Sequence, residues 1–161
     1  MTDAAKDFWD RLDDTQAGML GLDTDPELVP MSPCIRKERD GKIWFITSKD
    51  ADLVGKLGVN DKARFVVADA KNGLYTNVEG TLELVNDADV LDEIWSAMAG
   101  VWFDDGKQDE DIRLLCLTPV KAGTWFSTTN PVKFAYEMTK ARVTDDKPDM
   151  GYQETLTFNA A

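Results

Sequence analysis

The sequence feature that most constrains the fold is a pair of β-rich runs joined by a turn signal. Residues 63–70 read ARFVVADA, residues 74–85 read LYTNVEGTLELV, and Lys71-Asn72-Gly73 lies between them. An Asn-Gly pair favours the positive φ angles that a tight hairpin turn requires. This part of the chain therefore predicts two antiparallel strands.

Further strand signals occur on both sides of this hairpin. The prolines of LVPMSPCIRKE, residues 28–38, favour an extended segment, and Arg39-Asp40-Gly41 predicts a turn into a return strand at 42–48. Residues 111–127 predict two strands broken at Thr118-Pro119, because proline cannot donate a ladder hydrogen bond. The remaining candidates are AGMLGL at 17–22 and YQETLTFN at 152–159.

Helical patterns stand at the start, between strands and near the end. Phe8, Trp9 and Leu12 recur at helical spacing and predict an amphipathic helix over 3–13. A capped, periodic pattern predicts a second helix over 86–99, and shorter signals predict helices at 50–58 and 131–142.

The order of these elements predicts a mainly β fold, a small β-barrel with added helices. Strands come in runs joined by hairpins, which argues against a parallel α/β sheet, and closure into a barrel removes exposed strand edges. A length of 161 residues fits a single domain, with the barrel at about 17–126 and a C-terminal helix and tail at 131–161.

Composition excludes several classes of function. The chain has no histidine, so it lacks Ser-His-Asp and Cys-His machinery, and its two cysteines exclude a disulfide framework and a cysteine-based zinc site; no metal site is predicted. Both cysteines are expected to be buried thiols. A formal charge of −12 argues against nucleic-acid and anionic-membrane partners. The N-terminus lacks secretory features, so a cytoplasmic location is expected.

Several motifs, in collinear order, resemble the pyridoxamine 5'-phosphate oxidase-like flavin-binding split barrels, specifically the general stress protein 26 type. The resemblance covers roughly residues 6–144, and the motifs that carry it are FWDRLDD, GMLGL, the Pro30-Met31 pair, DGKIWFITS, VNDKARFVVADAKNGLYTNVEGTLELV, DEIW, VWFDDGKQDEDIRLLCLTP and AGTWFS. It implies a six-stranded antiparallel Greek-key split barrel, a homodimer, and FMN at the dimer interface, with FAD or a deazaflavin as alternatives.

The resemblance also implies a set of cofactor-binding residues. Pro30, Met31 and Ser32 are expected beside the flavin ring, Ile46, Thr47 and Ser48 on the strand leading to the phosphate, and Tyr75 and Asn77 on a strand of the partner chain; Trp102 matches an aromatic position, as does Trp125 with less support. A flavin would bring the electron chemistry itself, so an oxidoreductase needs no protein acid or base, and no catalytic residue is assigned.

The sequence departs from the family pattern where the phosphate is expected. An Arg before the Pro-Met pair, and a Ser and a Lys after the Thr-Ser pair, are replaced by Val29, Ala51 and Leu53. Lys49 is the first candidate for a replacement cation, followed by three other basic residues: Lys56, Arg36 and Lys37.

Other interpretations remain open. Thr47 and Ser48 could simply end a strand and cap the next helix. The run DDGKQDED at 104–111 is expected to be a solvated loop. The alternative function is a non-catalytic dimeric scaffold of the same fold with a degenerate cofactor groove. A third alternative is a barrel for an apolar ligand, which cannot be a histidine-ligated haem.

Overall fold

The fold is one antiparallel sheet with helices at its edges and ends, seen in a computed structural model that describes residues 1–95 and 97–158. The helices are α1 (Asp3–Asp13), α2 (Asp52–Lys56), α3 (Ala88–Ile94), α4 (Ala97–Gly100) and α5 (Pro131–Thr144), with a 3₁₀ turn at Gly106–Gln108. The strands are β1 (Gly18–Leu22), β2 (Val29–Met31), β3 (Ile43–Ser48), β4 (Asp61–Asp69), β5 (Leu74–Val85), β6 (Ile112–Ser127) and β7 (Gly151–Thr157).

The predicted hairpin forms between β4 and β5, with Gly73 at a φ of +64° in the turn. The strand order is β2-β1-β4-β5-β6-β3, and β7 pairs with β6 as a seventh strand. The mainly antiparallel class is therefore confirmed, with seven strands in the described residues where six were expected. The terminal strand ends at Thr157, and Asn159 of the predicted strand lies outside the described residues.

The predicted break at Thr118-Pro119 is wrong, because β6 is one continuous strand of 16 residues. Its first half pairs with β3, its second half pairs with β7, and β5 pairs with it along both halves. The register on β5 shifts between Glu79 and Gly80, opposite Pro119. A proline is tolerated at such an irregularity because the regular ladder is already interrupted there.

The two ends of the sheet meet at one point, where Cys34 and Trp44 form an isolated antiparallel bridge. The Cys34 N–H donates to the Trp44 carbonyl at 2.8 Å, and the Trp44 N–H donates to the Cys34 carbonyl at 3.0 Å. This bridge joins the segment after β2 to β3, so the sheet closes there. β2 and the carboxyl end of β3 have no ladder between them in the described residues, which leaves an opening at this seam.

The predicted helix over 86–99 is shorter than expected. Asp87 caps α3 by accepting the N–H groups of Asp89 and Val90, but α3 ends at Ile94 and Trp95 is extended, with a ψ of 135°. Ser96 of that prediction lies outside the described residues, and α4 follows it. None of the described helices is both long and apolar enough to cross a membrane.

Two apolar clusters hold the structure together. The larger one fills the barrel with inward-facing side chains of the strands, and α1 contributes Phe8, Trp9 and Leu12 to it. The smaller one contains Trp44, Val90, Leu114 and Cys116, so α3 packs on the opposite face of β3 and β6. The smaller cluster stands beside the seam and forms one side of the opening.

Candidate functional site

A cavity of about 680 Å³ lies at the seam between β2 and β3. This volume falls within the roughly 300–1,000 Å³ that is usual for small-molecule sites. Its walls come from β2 and the following segment, the end of β3, the start of α2, Ile94, and residues 99–111. The lining residues are Ala17, Val29, Pro30, Met31, Ser32, Cys34, Ile46, Thr47, Ser48, Ala51, Asp52, Leu53, Ile94, Ala99, Trp102, Phe103, Asp104, Asp109 and Asp111.

One part of the lining is apolar and aromatic. Met31 packs against the larger cluster, while Ile46 and Ile94 pack against the smaller one, so their positions are set by the barrel and by α3. Phe103 is buried, whereas Trp102 is 80% exposed although it borders the cavity. An exposed tryptophan at the mouth of an apolar cavity offers a flat surface on which a planar ring can stack.

Hydroxyl groups from β2 and β3 form a second part of the lining. Ser48 accepts a hydrogen bond from the Asp50 N–H at 3.2 Å, so this hydroxyl supports the turn after β3. The hydroxyl of Thr47 has no hydrogen-bond partner within the described residues, and Ser32 is exposed. Helix α2 begins after Ala51, which provides no side-chain cap, so the interpretation of Thr47 and Ser48 as caps of that helix is wrong.

The third part of the lining is acidic. Four aspartates border the cavity, and none of its lining residues within the described chain is Lys or Arg: the aspartates are Asp52, Asp104, Asp109 and Asp111. Asp109 accepts the N–H groups of Asp105 at 3.3 Å and Asp111 at 2.9 Å, which holds its carboxylate in the loop. The described residues contain no group of acidic or cysteine side chains arranged to hold a metal ion.

The basic residues proposed as replacement cations are mostly engaged elsewhere. The Lys49 ammonium donates to Asp111 at 2.9 Å, and this hydrogen bond raises the pKa of Lys49 above its ordinary value. Lys56 pairs with Asp25 at 2.7 Å, and the pairing likewise raises its pKa; Arg36 pairs with Glu93 at 2.8 Å. A carboxylate partner therefore engages each of these three basic residues, and none of the three lines the cavity.

The three positions at which the sequence departs from the family pattern do border the cavity. Val29, Ala51 and Leu53 all line it, and Leu53 is only 6% exposed. The structure thus places apolar side chains where the resemblance implies an arginine, a serine and a lysine.

Seven of the ten expected cofactor-binding residues line this one cavity: Pro30, Met31, Ser32, Ile46, Thr47, Ser48 and Trp102. Lys49 stands beside it in its pair with Asp111. Tyr75 and Asn77 are on the outer face of β5, away from the lining, and Tyr75 pairs across the sheet with Trp125. The assignment of Tyr75 and Asn77 to a partner chain's cofactor stays a prediction.

Cys34 departs from the expectation of a buried core thiol. It is half-buried and lines the cavity, whereas Cys116 is fully buried. Burial raises the pKa of Cys34 to about 11, so its thiol stays protonated and is a weak nucleophile near neutral pH.

The acidic run at 104–111, expected as a solvated loop, is the part of the site that the sequence did not reveal. Three aspartates of this run line the cavity: Asp104, Asp109 and Asp111. The end of the run is held beside β3 because the Lys49 N–H donates to the Asp111 carbonyl at 2.7 Å, which extends the β3–β6 ladder by one residue. One sequence signal could have indicated this: the acidic run directly precedes β6, and β6 pairs with β3, which carries Thr47 and Ser48.

The lining fits the ring of a flavin mononucleotide and does not fit its phosphate. The apolar walls and Trp102 suit a planar ring, and the hydroxyls suit a polar chain. A phosphate is bound most strongly by charge-assisted hydrogen bonds from cations; the described lining provides four carboxylates, no Lys or Arg, and only uncharged hydroxyl and backbone N–H donors. The residues present therefore fit the ring and do not fit the phosphate.

Comparison with known proteins agrees with this architecture. The family model for pyridoxamine 5'-phosphate oxidase like proteins matches residues 3–149. A crystal structure named general stress protein 26, from Jannaschia sp. CCS1, is 44% identical with a TM-score of 0.91, over 98% of this chain and 100% of that one. A search of curated proteins gave no match.

Two further crystal structures show how far the fold extends. The general stress FMN/FAD binding protein from Xanthomonas citri is 30% identical with a TM-score of 0.72, over 80% of this chain and 93% of that one. General Stress Protein 26 from Bacillus anthracis is 14% identical with a TM-score of 0.65, over 76% of this chain and 94% of that one, and it shows the fold alone.

These similarities confirm the split-barrel class. The family model spans most of the sequence, and the Jannaschia and Xanthomonas citri proteins are 44% and 30% identical over most of both chains. The chain belongs to the pyridoxamine 5'-phosphate oxidase-like family, in its general stress protein branch.

Proposed function

We propose that this protein binds a flavin, with the isoalloxazine ring in the seam cavity. The observation that carries the proposal is the convergence of Pro30–Ser32, Ile46–Ser48 and Trp102 on one cavity of about 680 Å³. The name of the Xanthomonas citri relative, a general stress FMN/FAD binding protein, supports the same ligand class. A bound flavin would supply electron-transfer chemistry, so an oxidoreductase activity follows as the finer proposal.

The protein's own residues would bind and orient the ring. Trp102 would stack on or cap the open side of it, Met31 and Ile46 would exclude water from the inner side, and the Thr47 hydroxyl would meet a polar edge. Cys34 would act as an uncharged wall residue, because its pKa of about 11 keeps the thiol protonated.

We further propose a homodimer in which the outer face of β5 and β6 is the contact surface. Tyr75 is 37% exposed and its cross-strand neighbour Trp125 is 50% exposed, while Met19 on β1 is 39% exposed. Large aromatic and methionine side chains are enriched at interfaces. Sedimentation of the wild-type protein and a Trp125→Ala variant tests this face: a wild-type dimer weakened by the substitution supports it, and a monomeric wild type overturns it.

The direct test of flavin binding is to purify the protein, record the visible absorption spectrum, and titrate it with riboflavin, FMN and FAD. We expect quenched flavin fluorescence with at least one of the three at micromolar concentration. Trp102→Ala should weaken flavin binding about tenfold, since stacking of a planar heteroaromatic ring, such as a nucleic-acid base, on an aromatic side chain is worth about 1–3 kcal/mol. Val101→Ala is the matched control, because Val101 is 75% exposed and does not line the cavity.

Failure of all three flavins to bind would overturn the proposal. It would favour the second candidate, a dimeric scaffold with a degenerate groove. The specific observation behind that candidate is the absence of Lys and Arg from the described part of the lining, together with Leu53 and Val29 in its wall.

A further inference from the structure

We propose that the seam cavity selects a flavin without a phosphate, of the riboflavin type, over FMN and FAD. This inference rests on the proposed function and adds the class of flavin. It is carried by the placement of the four cavity aspartates and by the partners of the neighbouring cations, not by the overall negative charge of the chain.

Three of the four cavity aspartates have no cationic partner at salt-bridge distance in the described chain. The carboxylates of Asp52 and Asp104 make no hydrogen bond or salt bridge with the rest of the described chain. Lys56, one turn along α2, attracts Asp52, but its ammonium is paired with Asp25. Asp109 accepts two backbone N–H groups of its own loop and has no salt-bridge partner in the described chain. Asp111 alone has a cationic partner, Lys49.

Within the described chain no Lys or Arg lines the cavity, and the cations beside it have other partners. Arg113 is the cross-strand neighbour of Thr47, and its guanidinium donates to the carbonyls of Glu110 and Ile112. Lys49 is the nearest in sequence to Thr47, but it pairs with Asp111 through its side chain and through its backbone N–H. A phosphate entering the cavity would compete with that carboxylate for the ammonium group while facing Asp52 and Asp104. Two like charges 4 Å apart repel by about 1 kcal/mol in water, and by more in less polar surroundings.

The polar side chains of the cavity are carboxylates and hydroxyls, which accept hydrogen bonds from a ligand. An ionised carboxylate only accepts hydrogen bonds, and a serine or threonine hydroxyl can accept them as well. The ribityl chain of riboflavin ends in hydroxyl donors, which match Asp104 and Asp52 as acceptors. A phosphate offers mainly acceptors near neutral pH, so in this lining it can be bonded by neutral hydroxyl donors such as those of Ser32 and Thr47 but by no Lys or Arg, while the aspartates repel it. The same side chains therefore favour the alcohol and disfavour its phosphate ester.

The experiment compares the dissociation constants of riboflavin, FMN and FAD for the wild-type protein at low and high salt. We expect riboflavin to bind at least about tenfold more tightly than FMN at low salt, from two or more like-charge contacts. The Debye length falls from about 10 Å at 0.1 M salt to about 3 Å at 1 M, so salt raised toward 1 M weakens repulsion between exposed charges a few ångström apart. FMN binding should therefore strengthen as salt is added, while riboflavin binding should stay nearly constant.

Two variants test whether the cavity aspartates cause the preference for riboflavin over FMN. Asp104→Asn removes one carboxylate, and Asp111→Asn removes another while releasing the Lys49 ammonium from its pair. Each should improve FMN binding by about two- to fivefold from the loss of one repulsive contact, with Asp111→Asn having the larger effect, and neither should weaken riboflavin binding by as much.

Asp146→Asn is the matched control, because it changes the net charge equally and lies between α5 and β7, outside the cavity. We expect it to leave both dissociation constants unchanged. If Asp146→Asn improves FMN binding as much as Asp104→Asn does, the preference comes from the overall charge, and the inference is wrong.

The outcomes separate this inference from the proposed function. Tighter binding of FMN than riboflavin, weakening with salt, would show a cation at the phosphate; it would overturn the inference and leave flavin binding intact. Absence of binding for all three flavins would overturn both. Tight riboflavin binding with the predicted salt response of FMN would support both.

Discussion

The interior of the barrel and the cavity at its seam share strands but differ in chemistry. On β3, Ile43 and Phe45 are fully buried in the larger apolar cluster, whereas Ile46–Ser48 turn into a half-buried end beside the cavity. The interior is almost wholly apolar, with the buried Thr76 and Thr124 hydroxyls hydrogen-bonded to each other at 2.8 Å. The cavity, by contrast, holds four aspartates. Stability and ligand preference therefore depend on different residues of one sheet.

The largest expected effect tests the interior. Phe65→Ala removes a fully buried ring that meets Phe45 edge to face at a centroid distance of 5.0 Å, and we expect it to lower the free energy of unfolding by about 3–5 kcal/mol. Denaturant titration measures the change. Phe65→Leu keeps part of the packing and should lose less, which preserves the test if the alanine variant fails to fold.

The control is Val66→Ala, the next residue along β4, which is only half-buried and should lose much less. If Phe65→Leu lowers stability but retains the wild-type ratio of riboflavin to FMN affinity, the interior sets stability independently of the ligand preference of the cavity. A changed ratio in that variant would contradict the comparison.

A smaller effect is expected where β5 and β6 approach closely. A Cβ on Gly80 would collide with the backbone carbonyl of Thr118 at the register shift, whereas a Cβ on Gly123 meets nothing within 4 Å. We expect Gly80→Ala to destabilise by about 1–3 kcal/mol, as overpacking does, and Gly123→Ala to have little effect. Thermal unfolding of both variants measures this, and equal melting temperatures would show that the bulge is not tightly packed.

The smallest effect concerns a carboxylate that is structurally engaged, in contrast to those of the cavity. Burial opposes the ionisation of Asp69, but hydrogen bonds from the Asn72 side chain and N–H and from the Thr15 hydroxyl outweigh it and lower the pKa. A lowered folded-state pKa contributes stability that is present above the ordinary value of 3.8 and is lost as the pH falls through the folded value.

Asp69→Asn should therefore cost about 1 kcal/mol near neutral pH, the difference between charged and neutral hydrogen bonds, and less in acid. Unfolding free energies measured between neutral pH and pH 3 check the sign. Asp104→Asn provides the comparison, because Asp104 makes no hydrogen bond or salt bridge in the described chain and its replacement should not destabilise. A larger loss for Asp69→Asn in acid than at neutral pH would contradict the assigned role.

Local patterns predicted most of the elements. The spacing of Phe8, Trp9 and Leu12 corresponds to α1, and the turn at Gly73 corresponds to the β4–β5 hairpin. Predictions failed where a distant residue decided the outcome. The continuity of β6 through Pro119 depends on the register shift at Gly80, which is distant in sequence and adjacent in the sheet.

The candidate site was predictable to a similar degree. The family resemblance identified Pro30, Met31, Ile46 and Thr47, and the structure brings all four to one cavity. It did not identify Asp104, because an acidic loop has no periodicity or turn chemistry that indicates which side chains face a ligand. The pairing of Lys49 with Asp111 was equally hidden, since it follows from the β3–β6 register.

The sequence by itself determined the series of strands and helices, the lack of histidine chemistry, and the family, because these depend on local backbone preference, residue identity and collinear motifs. Only the tertiary structure decided that the sheet closes between Cys34 and Trp44, and that Asp104 and Asp111 line the same cavity as Thr47. The physical reason is that such neighbours are set by hydrogen-bond register between strands far apart in the chain, which no local pattern encodes.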